Sequence, residues 1–368
     1  MNSKIELYLI NVLRGNRRGI FPFLIKTLLL PLSWVYGCCV KFRNFLYEIG
    51  VMRQYVSPVP LVISVGNIVT GGTGKTPVTL LLAQTFYNRF PIAILTRGYR
   101  SKAEKLGQPL LLSEGNGSLF PASYCGDEAF LLARRLPKAF IIVGGDRRKA
   151  SFFAAKAGVQ AIFLDDGMQH RRLARDFDIV VIDVADPFGQ GYLLPRGFLR
   201  EDIRSLHRAD LIIINHIHSL EQFMDVKKQL AHLSSAPVVG SQAHVSAIRD
   251  LEGNSVTIPE GTPVGMFCGI ANPESFRNTL KKIGYLVVHE YILTDHEAIE
   301  EKYLKFFAQA SFMKGAKYVI CTEKDQVKLG QIPSLALPIL WVELELQIMA
   351  GQEEWLHFLR KAEKRIKT

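Results

Sequence analysis

Six short apolar runs constrain this chain more than anything else in it: "PLVISVGN" (60–67), "PIAILTRGY" (91–99), "AFIIVGGD" (139–146), "VQAIFLDDG" (159–167), "DIVVIDVAD" (178–186) and "ADLIIINH" (209–216). They are rich in β-branched residues and lack polar alternation, the pattern of strands covered on both faces. Helical stretches separate them, which predicts an α/β fold with a doubly wound, mostly parallel sheet. Ligands of such sheets gather at the carboxyl ends of the strands. The polar endings Asn67, Arg97, Asp146, Asp165 and Asp183 would all lie on that edge. After His216 the rhythm changes. A helix over 220–233 precedes "APVVGSQAHV" and a turn-rich section. Then "VGMFCGI", "SFRNTLKKIGY", "YLVVHEYIL" and "KYVICTEKD" read as a second, smaller α/β domain. At 368 residues and 48% hydrophobic, the chain has core enough for about two domains. We divide it into an N-terminal segment, 1–50, a first domain, 51–235, and the smaller domain, 236–368. The tail from Glu353, with Trp355, Phe358 and Leu359, reads as an amphipathic helix packed on the body.

The stretch "SVGNIVTGGTGKTP" (64–77) lies between the strand "LVISV" and the helical "VTLLLAQTFYNRF". That strand–loop–helix context is what a phosphate-binding loop requires. Gly71, Gly72 and Gly74 let backbone N–H groups approach phosphate oxygens, and the helix N-terminus adds partial positive charge. Thr73 sits among them. Lys75 would face the β- and γ-phosphates, and the Thr76 hydroxyl would serve Mg²⁺. Val69 stands where the usual pattern has glycine, so Gly71-Gly72 must make the turn. Together with the strand pattern this gives a sheet of phosphate-loop NTPase type, with a nucleoside triphosphate as the expected ligand. A glycine turn feeding a helix is the plainer alternative.

Such a loop needs a metal-organising acid. Asp165-Asp166 follow the strand "AIFL" and precede Gly167, Gln169 and His170; Asp183 is the competitor. Asp127-Glu128 open a helical run in "CGDEAFLLARR", where capping of the helix dipole is the default reading. His296 in "LTDHEAI" carries little weight alone. "GYLLPRGFLRED" gathers Arg196, Arg200, Glu201 and Asp202 and reads as a surface loop or a phosphate clamp. "CTEKDQVKL" reads as a helix start with salt bridges.

Net charge is +11, and residues 1–54 contribute eight Lys/Arg against two Asp/Glu. Between Arg14, Arg17, Arg18 and Lys41, Arg43 lies "IFPFLIKTLLLPLSWVYGCCV", long enough to span a bilayer. Lys26 near its centre would cost roughly 3 kcal/mol on insertion scales, and basic flanks at both ends give no orientation. A segment lying on an anionic leaflet fits better; a buried N-terminal helix is the alternative. No small-residue cleavage site follows the apolar stretch. Cys38, Cys39, Cys125, Cys268 and Cys321 form no C-x-x-C pair and read as reduced thiols in a cytosolic compartment.

In order, "SVGNIVTGGTGKTP", "LTRGYR", "GDEA", "DDGMQH", "GQGYLLPRGFLRE", "FCGIANPESF", "DH" and "CTEKD" resemble the motifs of the tetraacyldisaccharide 4′-kinase family, from about residue 25 to 330. The resemblance implies an ATP- and Mg²⁺-dependent kinase that phosphorylates a lipid A precursor at the cytoplasmic face of the bacterial inner membrane. It implies Asp127 as the proton acceptor for the sugar hydroxyl, with His296 as dyad partner. It implies Thr76, Glu128, Asp165 and Asp166 at the metal, and Asn67 near the phosphates. Arg97, Arg147, Gln169, His170, Arg200 and Glu201 match positions around the phosphates or the sugar head. The N-terminal segment matches the family's membrane element. With His296 in the smaller domain, closure of two domains would assemble the dyad. Asp202, Phe198 and Gln190 depart from the family pattern in the clamp loop.

Two other readings compete. Partitioning-type ATPases share the Gly-Gly-x-Gly-Lys-Thr loop, but they usually carry an extra lysine early in it, where Val69-Thr70 stand here. A pI near 9.4 suggests nucleic acid, but no helix-turn-helix or aromatic RNA motif accompanies it, so no nucleic-acid partner is expected.

Overall fold

The computed structural model describes residues 3–98, 101–270, 272–294, 297–329 and 334–367. In chain order the elements begin with α1 (Ser3–Leu13), α2 (Ile20–Glu48), β1 (Leu61–Gly66), α3 (Lys75–Tyr87), β2 (Ile92–Thr96) and β3 (Leu110–Glu114). Next come α4 (Ala122–Cys125), α5 (Asp127–Arg135), β4 (Phe140–Val143), α6 (Arg147–Lys156), β5 (Ala161–Asp165), β6 (Phe177–Asp183), β7 (Leu211–Asn215) and α7 (Leu220–Leu230). The remainder holds β8 (Val238–Arg249), β9 (Pro263–Cys268), α8 (Pro273–Lys282), β10 (Leu286–Ile292), α9 (Glu301–Met313), β11 (Tyr318–Thr322), α10 (Glu323–Gln326), β12 (Ile339–Ala350) and α11 (Gln352–Lys367).

All six apolar runs form strands, and all six are parallel, in the order β7-β6-β1-β5-β2-β4. β1, β2, β5 and β7 are buried at every position, as continuous apolar runs require. One face is covered by α3, α5 and α11 through Val78, Leu82, Phe86, Leu132, Trp355 and Phe358. The other is covered by α6 and α7 through Ala150, Ala154, Phe223 and Val226. The fold is therefore the expected α/β architecture with a mostly parallel sheet.

The sheet does not stop where the rhythm changes. It continues as one twelve-stranded sheet, β10-β9-β11-β12-β8-β7-β6-β1-β5-β2-β4-β3. The start of β8 pairs parallel with β7, and the rest runs antiparallel to β12 as a long ribbon. β12 in turn pairs with β11, which leads to β9 and β10. This second half has its own cores, beneath α8 (Phe276, Leu280) and α9 (Leu304, Phe307). α11 returns across the ribbon and buries Trp355, Phe358 and Ala362 in the first half.

α2 is a single 29-residue helix despite Pro31, and by length and composition it is apolar enough to cross a membrane. It touches the body along one narrow stripe. The Ser33 hydroxyl donates to the Leu193 carbonyl at 2.8 Å, and Gly37 leaves room for the Leu193 side chain. Phe21, Phe23, Leu28, Trp34, Val35 and Phe42 remain exposed. Cys38 and Cys39 are exposed free thiols, and the other three cysteines are buried free thiols.

Candidate active site

The loop after β1 has two parts with different physics. Residues 68–70 are strand-like: the Arg200 N–H donates to the Ile68 carbonyl at 2.7 Å, and the Thr70 N–H to the Phe198 carbonyl at 2.7 Å. Val69 bridges Leu199 in this pairing and buries its side chain in the core. Glycine is unnecessary there because the backbone is extended and its neighbour is the clamp loop. The turn falls further on. Gly71 has φ +118° and Gly74 φ +84°. A Cβ at Gly74 would also lie 2.0 Å from Asn215 Nδ2, so no larger residue fits. α3 then begins at Lys75.

Three strand ends hold this turn. Asn67, fully buried after β1, donates from Nδ2 to Thr73 Oγ1 at 2.9 Å and accepts at its carbonyl from Gln169 Nε2 at 2.9 Å. At the end of β5, Asp165 accepts from Thr76 Oγ1 and Thr79 Oγ1, both at 3.2 Å. At the end of β7, Asn215 donates from Nδ2 to the Thr73 carbonyl at 3.0 Å and accepts from Ser241 Oγ at 3.0 Å. Asn215 and Ser241 were not among the sequence candidates. The signal for Asn215 was its place at the polar end of "ADLIIINH", on the edge where ligands bind. Asp183, the rival metal acid, pairs instead with His216 Nδ1 at 3.1 Å.

Asp166 follows in a left-handed conformation (φ +54°), uncommon without glycine and typical of functional sites. Arg200 Nη1 meets its two oxygens at 2.8 and 2.9 Å, and Lys75 Nζ lies 3.6 Å away. Burial alone would raise this carboxyl; Lys75 and Arg200 outweigh it and hold Asp166 below its ordinary range. Its neighbour behaves oppositely. Burial, reinforced by the charges of Glu128 and Asp166, pushes Asp165 up to about 6. Lys75 Nζ also lies 3.4 Å from the Gly71 carbonyl.

The remaining candidates are spread around this edge. Arg147 is almost fully buried at the start of α6 and donates to the carbonyls of Gly144 and Asp165. His170 is half-buried; burial and then Arg147 lower it from 6.5 to about 4, so the ring is neutral. Arg97 pairs with Glu104 at 2.7 Å on an exposed surface. Asp127 and Glu128 open α5, facing Lys328 at 3.7 Å and Lys324 at 3.3 Å. Glu201 is held between α2 and Arg208. It is 0% exposed and receives Arg208 Nη2 at 2.6 Å and Asn44 Nδ2 at 2.9 Å, with Arg43 at 3.6 Å. Lys41 pairs with Asp202 at 3.1 Å. Two of the basic residues expected to face lipid thus hold α2 to the clamp loop. His296 lies outside the described residues. Among the described residues no three His, Cys, Asp or Glu side chains converge as a ready-made metal cage.

A glycine turn opening α3, a paired acid after β5 and the loop 189–202 are thus bonded to one another at one edge of the sheet. The family model described as tetraacyldisaccharide-1-P 4′-kinase matches residues 25–364. The chain belongs to this family. Among curated relatives, the tetraacyldisaccharide 4′-kinase of Halothermothrix orenii is 34% identical over 347 residues, 90% of each chain. That of Pelobacter propionicus is 35% identical over 355 residues, 95% of this chain and 96% of that one. Among solved structures, LpxK from Aquifex aeolicus, crystallised in complex with ATP, superposes with a TM-score of 0.73 at 27% identity. It covers 93% of this chain and 99% of its own.

Proposed function

We propose that this protein transfers the γ-phosphoryl group of ATP to the 4′-hydroxyl of a tetraacyldisaccharide 1-phosphate, a step of lipid A biosynthesis. The observation that carries this reading is the phosphate loop held by Asn67, Asp165 and Asn215, in a chain that matches the kinase family over nearly its whole length. Phosphoryl transfer asks for alignment and neutralised charge more than covalent chemistry. The turn at Gly71–Gly74 and the start of α3 receive the phosphates, and Lys75 exchanges Asp166 for the transferred group. Asp127 takes the proton from the sugar hydroxyl as its oxygen bonds to phosphorus and the bridge to ADP breaks. A general base of this kind contributes about 10²–10⁴-fold. His296 is its dyad partner, brought in as the two halves close.

The donors suit Mg²⁺. This ion is held in such kinases by a hydroxyl, one or two carboxylates, waters and phosphate oxygens rather than by a protein cage. Thr76 and Asp165 would hold it, with Asp166 and Glu128 beside them; burial first, and then the charges of Glu128 and Asp166, raise Asp165, and a cation there would relieve that repulsion. Bound there, the ion neutralises charge developing on the phosphates.

Arg97, Arg147, Gln169, His170 and Arg200 face the phosphates or the sugar head. Glu201 serves instead as the anchor of α2. The exposed apolar surface of α2 rests in an anionic bilayer at the cytoplasmic face of the inner membrane, where the glycolipid is found; nucleic acid is not a ligand. The test is to incubate the protein with Mg-ATP and the disaccharide lipid and weigh the product. A gain of one phosphate is expected; ATP hydrolysis with unchanged lipid would overturn the reading. Co-sedimentation with phosphatidylglycerol vesicles but not with DNA tests the partners.

A further inference from the structure

The segment 323–328, "EKDQVK", follows β11 directly. α10 and the turn after it lie along α5, and their charges interleave. At the C-terminal end of α5, Arg134 and Arg135 meet Glu323 at 3.2 and 2.7 Å. At its N-terminal end, Glu128 meets Lys324 and Asp127 meets Lys328. The two lysines are not equivalent. Lys324 and Glu128 are partly exposed, whereas the Lys328 side chain is only 7% exposed.

Burying an ammonium is costly unless every donor is matched. Lys328 Nζ donates to Asp325 Oδ1 at 3.3 Å and to the Glu297 carbonyl at 3.5 Å, and forms an ion pair with Asp127 Oδ2 at 3.7 Å. Asp325 is itself 2% exposed and fixed. It accepts the Gly269 N–H at 3.0 Å, beyond the end of β9, and the Thr322 hydroxyl at 2.6 Å, at the end of β11. The Glu297 carbonyl belongs to the residue that follows Asp295-His296. One ammonium therefore ties the first residue of α5 to two strand ends of the second half and to the backbone beside His296.

We propose that Lys328 is the positioning residue for Asp127, fixing its carboxylate in register with the second half of the molecule. This rests on the reading of Asp127 as proton acceptor. Lys328 does not touch the reacting atoms; it acts through the carboxylate and the segment after His296. Misplacing a reactive group by about 1 Å costs on the order of 10²-fold.

The test measures kcat and KM for Mg-ATP and lipid in K328M, K328R, K324M, D127N and the double variant D127N/K328M, with a melting curve for each. K328M is expected to lose about 100-fold in kcat with KM for ATP within about twofold. K328R, which keeps the charge and displaces it, should lose about tenfold. K324M should lose less than K328R. D127N/K328M should be no slower than D127N, because the lysine has nothing left to position. A K328M enzyme with kcat within threefold of wild type overturns the proposal, as does a double variant slower than D127N by the full K328M factor. Should K328M not fold, K328R decides alone: a lowered kcat at unchanged KM supports the proposal, and a wild-type kcat overturns it. A fully active D127N would instead remove the proton-acceptor reading on which the proposal stands.

Discussion

The phosphate-loop edge and the junction of α5 with α10 are both polar, but they are held by different forces. Around the glycine turn uncharged donors dominate: Asn67, Thr76, Thr79, Asn215 and Ser241 reach a carbonyl, a hydroxyl, an amide oxygen or one acid, with Asp166 ion-paired to Arg200 and Lys75 beside them. At the junction nearly every contact joins opposite full charges, Arg134 and Arg135 to Glu323, Lys324 to Glu128, Lys328 to Asp127. Short neutral hydrogen bonds fix geometry and are insensitive to salt. Ion pairs can change partners when another charge arrives, and exposed ones such as Lys324 with Glu128 respond to screening. The glycine turn is thus fixed by neutral hydrogen bonds, and the junction that carries Asp127 is fixed by charge.

The largest test of this contrast is Lys75, the one charged residue among 71–76. Lys75→Ala should lower kcat/KM by on the order of 10³-fold, measured as lipid phosphorylation, with the melting temperature nearly unchanged. Next is Glu201→Ala, which leaves Arg208 buried without its partner and should cost about 3–5 kcal/mol in urea unfolding. A smaller effect would show that water reaches the anchor of α2. Thr79→Val removes one donor to Asp165 without touching the phosphates and should cost about 1.5–3 kcal/mol. Raising NaCl from about 0.1 to 1 M shrinks the screening length to about 3 Å. Turnover of wild type should fall a few-fold while ATP-loop geometry, followed by a bound fluorescent nucleotide, persists; the reverse pattern would erase the distinction drawn here.

The smallest effect concerns pH. The folded state holds His170 neutral to about 4, while the unfolded chain titrates near 6.5. Between those values the unfolded state binds more protons, so wild-type stability rises with pH across the window. His170→Asn should flatten that part of the stability curve, read from urea midpoints at pH 4.5 and 7.

Much of this was legible in the residues. Each strand of the parallel core announces itself because burial on both faces forces a continuous apolar run, and the loop motif follows from what phosphate requires. β12 was not foreseen, although "VELELQI" alternates as a half-covered strand should. Its partner β8 lies about a hundred residues earlier, and no local feature encodes that pairing. The role of Val69 could not be read either, since it depends on Leu199 crossing beside it. Asn215 escaped for a related reason: an asparagine ending a strand looks like a cap until the turn it supports is in place. The burial of Glu201 and its pairing with Arg208 and Asn44 could not be read from its place in the motif either.

The path of α11 has a consequence for how the molecule is made. Its Trp355 and Phe358 complete a core whose other walls come from β1, β6 and α3, hundreds of residues upstream. On the ribosome the half that emerges first must therefore wait, with an apolar gap on one side, until the whole second half has followed and this helix can close it. Newly made chains should depend on chaperones for that interval, and a nascent chain stalled before α11 should be readily cut by protease within the very half that grips ATP.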